Sequence, residues 1–409
     1  MAGQDPWRAT VDRIVAGPAF AAAVATLRAE HGRTVEDIVR LTEIPAPPFA
    51  EEVRARAYMA MLADHGLDDV EMDGVGNVMG LRRGTGNGPL VVVAAHLDTV
   101  FPAGTDVTVR REGTKLFAPG VGDDTRSLAV NLALVRAMDA AGIRTEADLL
   151  ILGDVGEEGL GDLRGVRHVF REGRYRDRVK AFLTVDFPEM NGITVAGVGS
   201  RRYRVTFRGR GGHSWMDFGR VSPMQAMATT VVALGRLAVP EDPRTTLAAT
   251  VVSGGTSINA IPHTVTLQVD LRSEDAGELA RLDARFRSIV TEAVAAENTA
   301  RDTGVGPVTA DLDLVGDREA GRQDPGNDLI RAATAALGRF GFDATGSSGS
   351  TDANVPISLG IPAIRIGSGG HGGLAHTLDE WIDVEPEESV RGMSATLATI
   401  LAIAGTSDA

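Results

Sequence analysis

Several short pieces of this chain set acidic side chains and histidines close enough to hold a cation or pass a proton. "VVVAAHLDTV" (91–100) ends an apolar run with His96 and, two residues on, Asp98. "GVGDDTRSLA" offers Asp123 and Asp124, "GEEGLGD" offers Glu157 and Glu158, and "TVDFP" offers Asp186. "GSGGHGGLAHTLDEW" adds His371 and His376. The chain has no cysteine, so any metal must be held by imidazole and carboxylate. That donor set suits zinc, and also manganese or cobalt. Two divalent ions sharing a carboxylate need about five to seven such side chains, with the ions roughly 3.5–4 Å apart.

Taken singly, each piece has a plainer explanation. His96 reads equally well as a satisfied core histidine, "DD" before a helix as an N-cap, and "EE" between glycines as a solvated turn. The conjunction changes the balance. Like charges crowded at converging strand ends repel and lose hydration, and a site of that kind needs cations.

The elements that position these residues follow from pattern. Val91–Ala95, Leu149–Leu152, Ala181–Val185 and Ile361–Ile366 are continuous apolar runs bounded by turn residues, with helical stretches between them. This predicts an α/β fold built on a mostly parallel sheet covered on both faces. Thr125 is placed to cap a helix in which Leu128, Leu132, Val135 and Met138 share one face. Ligands of open α/β sheets sit outside the carboxyl ends of the strands, where the polar pieces above cluster. "GTGNG" (84–88) reads as a tight loop.

From Ser200 to about Gly316 the pattern alternates instead. Four strand-like stretches and two helical ones, about Pro223–Leu237 and Ala276–Ala300, give the order β-α-β-β-α-β. We therefore expect a catalytic domain in two parts, 1–199 and 318–409, with an inserted α+β (ferredoxin-like) lid and dimerisation domain at 200–317. The length of 409 residues also favours more than one core.

The net charge of −14 without a basic block argues against nucleic acid and anionic membrane surfaces as partners. No run approaches a membrane span, and the N-terminus shows no apolar signal segment, so a cytoplasmic location is expected.

The ordered set "HLDTV", "GVGDDTRSLA", "GEEGLGD", "TVDFP", "GRGGHS", "GGTSINAIPH", "DLRS" and "AHTLDEW" resembles the M20 family of metallopeptidases and deacylases. The resemblance covers nearly the whole chain. It implies two zinc ions per chain, with manganese or cobalt as substitutes, in a domain interrupted by a lid that often forms a homodimer. By position it implies His96, Asp123, Glu158, Asp186 and His376 as ligands, with Asp123 bridging both ions. It implies Glu157 as general base and Asp98 as the hydrogen-bond partner that orients His96. His213 would stabilise the oxyanion, supplied by the neighbouring subunit, and Asn259 and Arg272 would bind a substrate carboxylate. His371 competes with His376, which is favoured because "TLDEW" matches the family's acidic stretch. Asp352 in "GSSGSTDANV" is either an active-site residue or a helix cap. Thr125 and Arg126 depart from the lysine and glycine that many members carry there.

The expected function is hydrolysis of amide bonds in small di- or tripeptides. The alternative is deacylation of N-acyl amino acids, and a third reading is an inactive binding protein on the same fold. Glycine-rich nucleotide-binding motifs are absent.

Overall fold

The apolar runs form the strands Leu90–His96, Asp148–Asp154, Val179–Val185 and Ala363–Ile366 of a computed structural model, which describes residues 5–86 and 88–406. The first four residues of the N-terminal segment, and Asn87 of the "GTGNG" loop, lie outside the described residues. Leu90–His96 runs parallel to Asp148–Asp154 on one side and to Val179–Val185 on the other, and Ala363–Ile366 continues the parallel set. Antiparallel neighbours, Val78–Arg82 and then Asp68–Met72, extend one edge.

Both faces of this sheet are covered, which is why the runs are continuous rather than alternating. Val91, Val93 and Ala95 pack into a core with the helices Arg126–Ala140, Asp328–Arg339 and Pro386–Ala404. Val92 and Ala94 face the opposite core, built from the helix Arg164–Arg171 and the segment Ala353–Ile357. Four helices, Pro6–Ala16, Pro18–Ala29, His31–Thr42 and Glu52–Asp64, precede the first strand. No single helix among the described residues is long and apolar enough to cross a membrane.

Two details differ from the sequence reading. Arg126–Ala140 is buried nearly all round, because it lies between the sheet and other helices and has no solvent face. Thr125 precedes it without a side-chain cap; its hydroxyl donates instead to the Gly120 carbonyl at 2.8 Å.

The chain before Val198 and after Arg322 forms one compact unit, and Val198–Arg322 forms a second. In the second, strands Gly199–Arg208, Thr245–Gly254, Thr264–Ser273 and Thr309–Arg318 and helices Pro223–Leu234 and Ala276–Ala300 follow in the order β-α-β-β-α-β. The sheet runs Thr245–Gly254, Thr264–Ser273, Gly199–Arg208, Thr309–Arg318, with every pair antiparallel. Val265, Leu267, Val269 and Leu271 alternate inward against Leu282, Phe286 and Ile289 of the longer helix. Asp275 caps that helix by accepting from the Glu278 N–H at 2.8 Å.

Candidate metal centre

Strand Leu90–His96 ends with its histidine fully buried at the carboxyl edge of the sheet. His96 Nδ1 lies 3.0 Å from the Asp98 backbone oxygen. A carbonyl only accepts, so Nδ1 carries a proton, and Nε2 is the nitrogen turned to the site. Nε2 is 2.9 Å from Asp123 Oδ1. The other oxygen of Asp123 faces His376 Nε2, also at 2.9 Å, and His376 Nε2 is in turn 2.9 Å from Glu158 Oε1. One carboxylate thus presents a different oxygen to each histidine.

Each side chain arrives from a different element. Asp123 belongs to the wide turn Val121–Thr125, and Glu158 to the loop following Asp148–Asp154. Asp186 directly follows Val179–Val185 and is fixed by its N–H on the Ile366 carbonyl at 2.9 Å. His376 sits between the short strands His371–Gly373 and Trp381–Asp383 with φ +64°, an uncommon conformation for a residue with a side chain. His371 is exposed on the first of those strands, paired in register with Asp383.

The donor atoms of His96, Asp123 and Glu158 lie within 4.8 Å of one another, and so do those of His96, Asp124 and Asp186. The electrostatics call for positive charge. Burial, then the Asp123 carboxylate, pushes Asp186 up to about 6, and its Oδ1 is buried without a hydrogen-bond partner. Asp124 is raised well above the usual carboxylate range, chiefly by burial. Its Oδ2 accepts from the His96 N–H at 3.0 Å while Oδ1 is left without a donor. Hydrogen bonds to Asp123 and then Glu158 push His376 up to about 10. Burial opposes the charged form of Asp123, but hydrogen bonds from His376 and His96 override it and hold Asp123 well below its ordinary value. Orphaned buried oxygens, crowded carboxylates and two imidazole nitrogens aimed at one carboxylate fit divalent cations.

Several supporting roles differ from expectation. The Asp98 carboxylate does not hydrogen-bond His96: Oδ1 is 3.7 Å from Nδ1, beyond hydrogen-bond range, and the backbone oxygen takes that place. The carboxylate instead accepts from the N–H groups of Glu157 at 3.0 Å and Glu158 at 2.9 Å, and so sets the loop carrying both glutamates. Asp352 does not cap the helix Asn354–Ser358, whose N-cap is Ala353. It is buried with both carboxylate oxygens lacking a donor, raised by burial and by the charge of Asp154 and then Glu157.

Two residues escaped the sequence reading. Glu380 accepts from the N–H groups of Gly120 at 2.7 Å, Gly122 at 2.8 Å and Asp123 at 2.9 Å, and so clamps the turn that presents the central carboxylate. Arg54, fully buried, donates to the carbonyls of Ile44 and Leu97, next to His96. In both cases the partners are backbone groups, which leave no pairing signal in the sequence; the one available cue for Glu380 was its place in "AHTLDEW".

The second unit holds the remaining candidates. His213 pairs with Ala260 in a two-residue ladder, and the Ser214 N–H donates to the Asn259 carbonyl at 2.9 Å, which brings His213 and Asn259 together. His213 Nδ1 accepts from the N–H groups of Trp215 at 3.2 Å and Met216 at 3.4 Å. Its proton therefore sits on Nε2, free to donate outward. Arg272 is engaged through Nε with Asp270 at 2.8 Å.

The sequence profile of peptidase family M20/M25/M40 matches residues 92–402. A relative in Pyrococcus abyssi, provisionally named a LysW-lysine/LysW-ornithine hydrolase, is 31% identical over 175 residues, 42% of this chain and 46% of that one. The chain thus spans about half the length of that relative. Succinyl-diaminopimelate desuccinylase of Corynebacterium glutamicum is 26% identical over 360 residues, covering 85% and 90% of the two chains. Among solved structures, aminopeptidase PepT from Bacillus cereus ATCC 10987 superposes with a TM-score of 0.73 at 20% identity, over 92% of this chain and 99% of that one. With strands, loops and donor cluster arranged as described, the chain belongs to peptidase family M20/M25/M40.

Proposed function

We propose that the protein hydrolyses amide bonds of di- or tripeptides with a free carboxylate, using two divalent ions, with zinc the first choice. The observation that carries this reading is Asp123, whose two oxygens each meet a different histidine at 2.9 Å. His96 and Asp186 would hold one ion, Glu158 and His376 the other, and Asp123 both. When bound, such a pair activates water and polarises the scissile carbonyl.

The chain's own groups do the rest. Glu157, adjacent to a proposed ligand and buried, takes a proton from the attacking water as the C–O bond forms. It returns that proton to the leaving nitrogen as the C–N bond breaks. His213 Nε2–H donates to the developing oxyanion. We propose that His213 comes from a second copy of the chain in a homodimer formed through the second unit. Strand Thr245–Gly254 supports this, since it lies at a sheet edge and exposes Val251 and Val252. Asn259 and Arg272 are the candidates for the substrate carboxylate.

A second reading, deacylation of N-acyl amino acids, is supported by the match to the desuccinylase along 85% of the chain. One panel separates the two: tripeptides, dipeptides and N-acyl amino acids, each with zinc, manganese or cobalt, and products identified by mass. Peptide cleavage with metal is expected. Full activity in thoroughly metal-free protein would overturn the two-metal reading, and exclusive cleavage of N-acyl amino acids would select the second.

A further inference from the structure

Scattered exposed apolar side chains are ordinary, but grouping around a site is not. Among the described residues of the first unit, the exposed large apolar side chains are Phe49, Val53, Leu160, Leu359, Leu374 and Leu378. Leu160 lies two residues beyond Glu158. Leu374 and Leu378 lie two residues either side of His376, and Leu378 is 69% exposed. Because His376 and Glu158 touch, these three leucines stand on two loops joined at the metal centre.

Phe49 belongs to the same neighbourhood. The Arg164 guanidinium is 5.0 Å from its ring centroid, and Arg164 also pairs with Glu51 at 2.8 Å. Arg164 packs so closely on Gly156, just before the two glutamates, that a Cβ there would meet it at 2.2 Å. Phe49 has φ +68° and Leu374 φ +58°, conformations that bulky residues adopt only where the surroundings impose them. Val53, on the helix Glu52–Asp64, and Leu359 are not part of this grouping, and Leu359 is the more distant. It precedes strand Ala363–Ile366, at the end of the sheet away from the ligands.

His96 and Asp123 are buried, whereas the His376 side chain is 51% exposed, so the centre opens to solvent on the side of Leu374 and Leu378. We infer that Leu160, Leu374 and Leu378, with Phe49 beside them, form an apolar rim that receives an apolar side chain of the substrate next to the scissile bond. The inference rests on the amide-hydrolase reading and adds the substrate class: peptides with leucine- or phenylalanine-like residues at one side of the cut.

The test is a series of tripeptides with glycine, alanine, leucine or phenylalanine on either side of each bond, assayed with wild type, Leu374→Ser, Leu378→Ser and, as control, Leu359→Ser. Light scattering follows the oligomeric state of each. Wild type should favour leucine or phenylalanine over glycine by about tenfold in kcat/KM at one side, the scale of a modest apolar contact. That ratio should shrink several-fold toward unity in the two rim variants and stay unchanged in the control. Equal cleavage of all peptides, or a ratio untouched by the rim variants, overturns the rim while leaving the hydrolase reading intact. A change of oligomeric state with the ratio retained shows that the rim is covered by another copy, and also overturns it. Cleavage of no peptide takes down the rim together with the peptide-hydrolysis reading, and leaves only the deacylase reading to be tested.

Discussion

In the first unit Asp124, Asp154, Asp186 and Asp352 are buried and carry carboxylate oxygens that no hydrogen-bond donor reaches. In the second, Asp283 is held by Arg201 at 2.7 Å, by the Tyr203 hydroxyl at 2.5 Å and by Arg287 at 3.3 Å. On the outer face of that sheet Arg204 stands by Asp313 and Arg208 by Asp311. The first pattern is costly as it stands, because buried like charges lacking a counter-charge must be protonated or bind a cation. The second is largely neutralised by arginines on its own strands and helix; Asp270 Oδ1 lacks a hydrogen-bond donor, but Arg202 Nε stands 3.7 Å away. What differs is how far the charges already have partners.

The sharpest way to break this comparison is to separate the two adjacent glutamates. Glu157→Gln removes a proton acceptor and no proposed ligand. Turnover should fall roughly a thousandfold with metal content intact. Glu158→Gln should lose metal, because a ligand beside His376 is gone. Metal analysis beside kinetics decides it, and loss of metal in the first variant alone would reverse the roles.

Next in size is the contribution of the self-neutralised unit to the chemistry. His213→Ala should lower turnover roughly a hundredfold. Glu157→Ala and His213→Ala chains, refolded together or co-expressed, should regain activity if His213 is delivered by the other copy, since one site in each heterodimer is then complete. Verified heterodimers as inactive as either parent would place His213 in its own subunit's site or in none.

A third measurement compares the protein with and without metal across pH. In metal-free protein, Asp186 at about 6 against an ordinary 3.8 contributes stability below the lower value, which is lost as pH rises through the higher. His376 at about 10 against 6.5 acts in the same direction, its contribution lost as pH rises toward 10. Metal binding runs the opposite way, because ligands must shed protons to bind. The gap in melting temperature between loaded and stripped protein should therefore widen from about pH 5 to about pH 9. A constant or narrowing gap would mean that these groups are not where the cations bind.

Much of this was legible beforehand, for physical reasons that differ by element. Val91–Ala95 reads as a buried strand because both faces are covered, and strand Thr264–Ser273 reads as half-buried because only one is. Helix Ala276–Ala300 is long and carries its own cap. The four N-terminal helices went unread: the chain there is short helices broken by Gly17 and turns, with no chemistry-bearing motif to anchor the reading. At the site, residues that touch the central carboxylate through side chains, such as His96 and His376, were visible as types at meaningful spacing. Residues that act on backbone were not. Asp98 setting the N–H groups of Glu157 and Glu158, and Glu380 clamping the Asp123 turn, depend on loop conformations that side-chain identity does not encode.

The smallest expected effect belongs to Arg272, and it sharpens the comparison most finely. Arg272 and Asp270 are two apart on one strand, hence on one face, with Nε 2.8 Å from Oδ2. An arginine already paired with a carboxylate in a half-exposed setting has only part of its charge left for a substrate. Arg272→Ala should therefore raise KM for substrates with a free carboxylate by about threefold, the size of an exposed ion pair, and leave their C-terminal amides unaffected. Asp270→Asn should shift KM the other way by freeing the guanidinium. No change in either variant would remove Arg272 from substrate binding. A rise of a hundredfold or more would mean that the Asp270 pair opens when substrate binds, and the second unit's charges could no longer be counted as already satisfied.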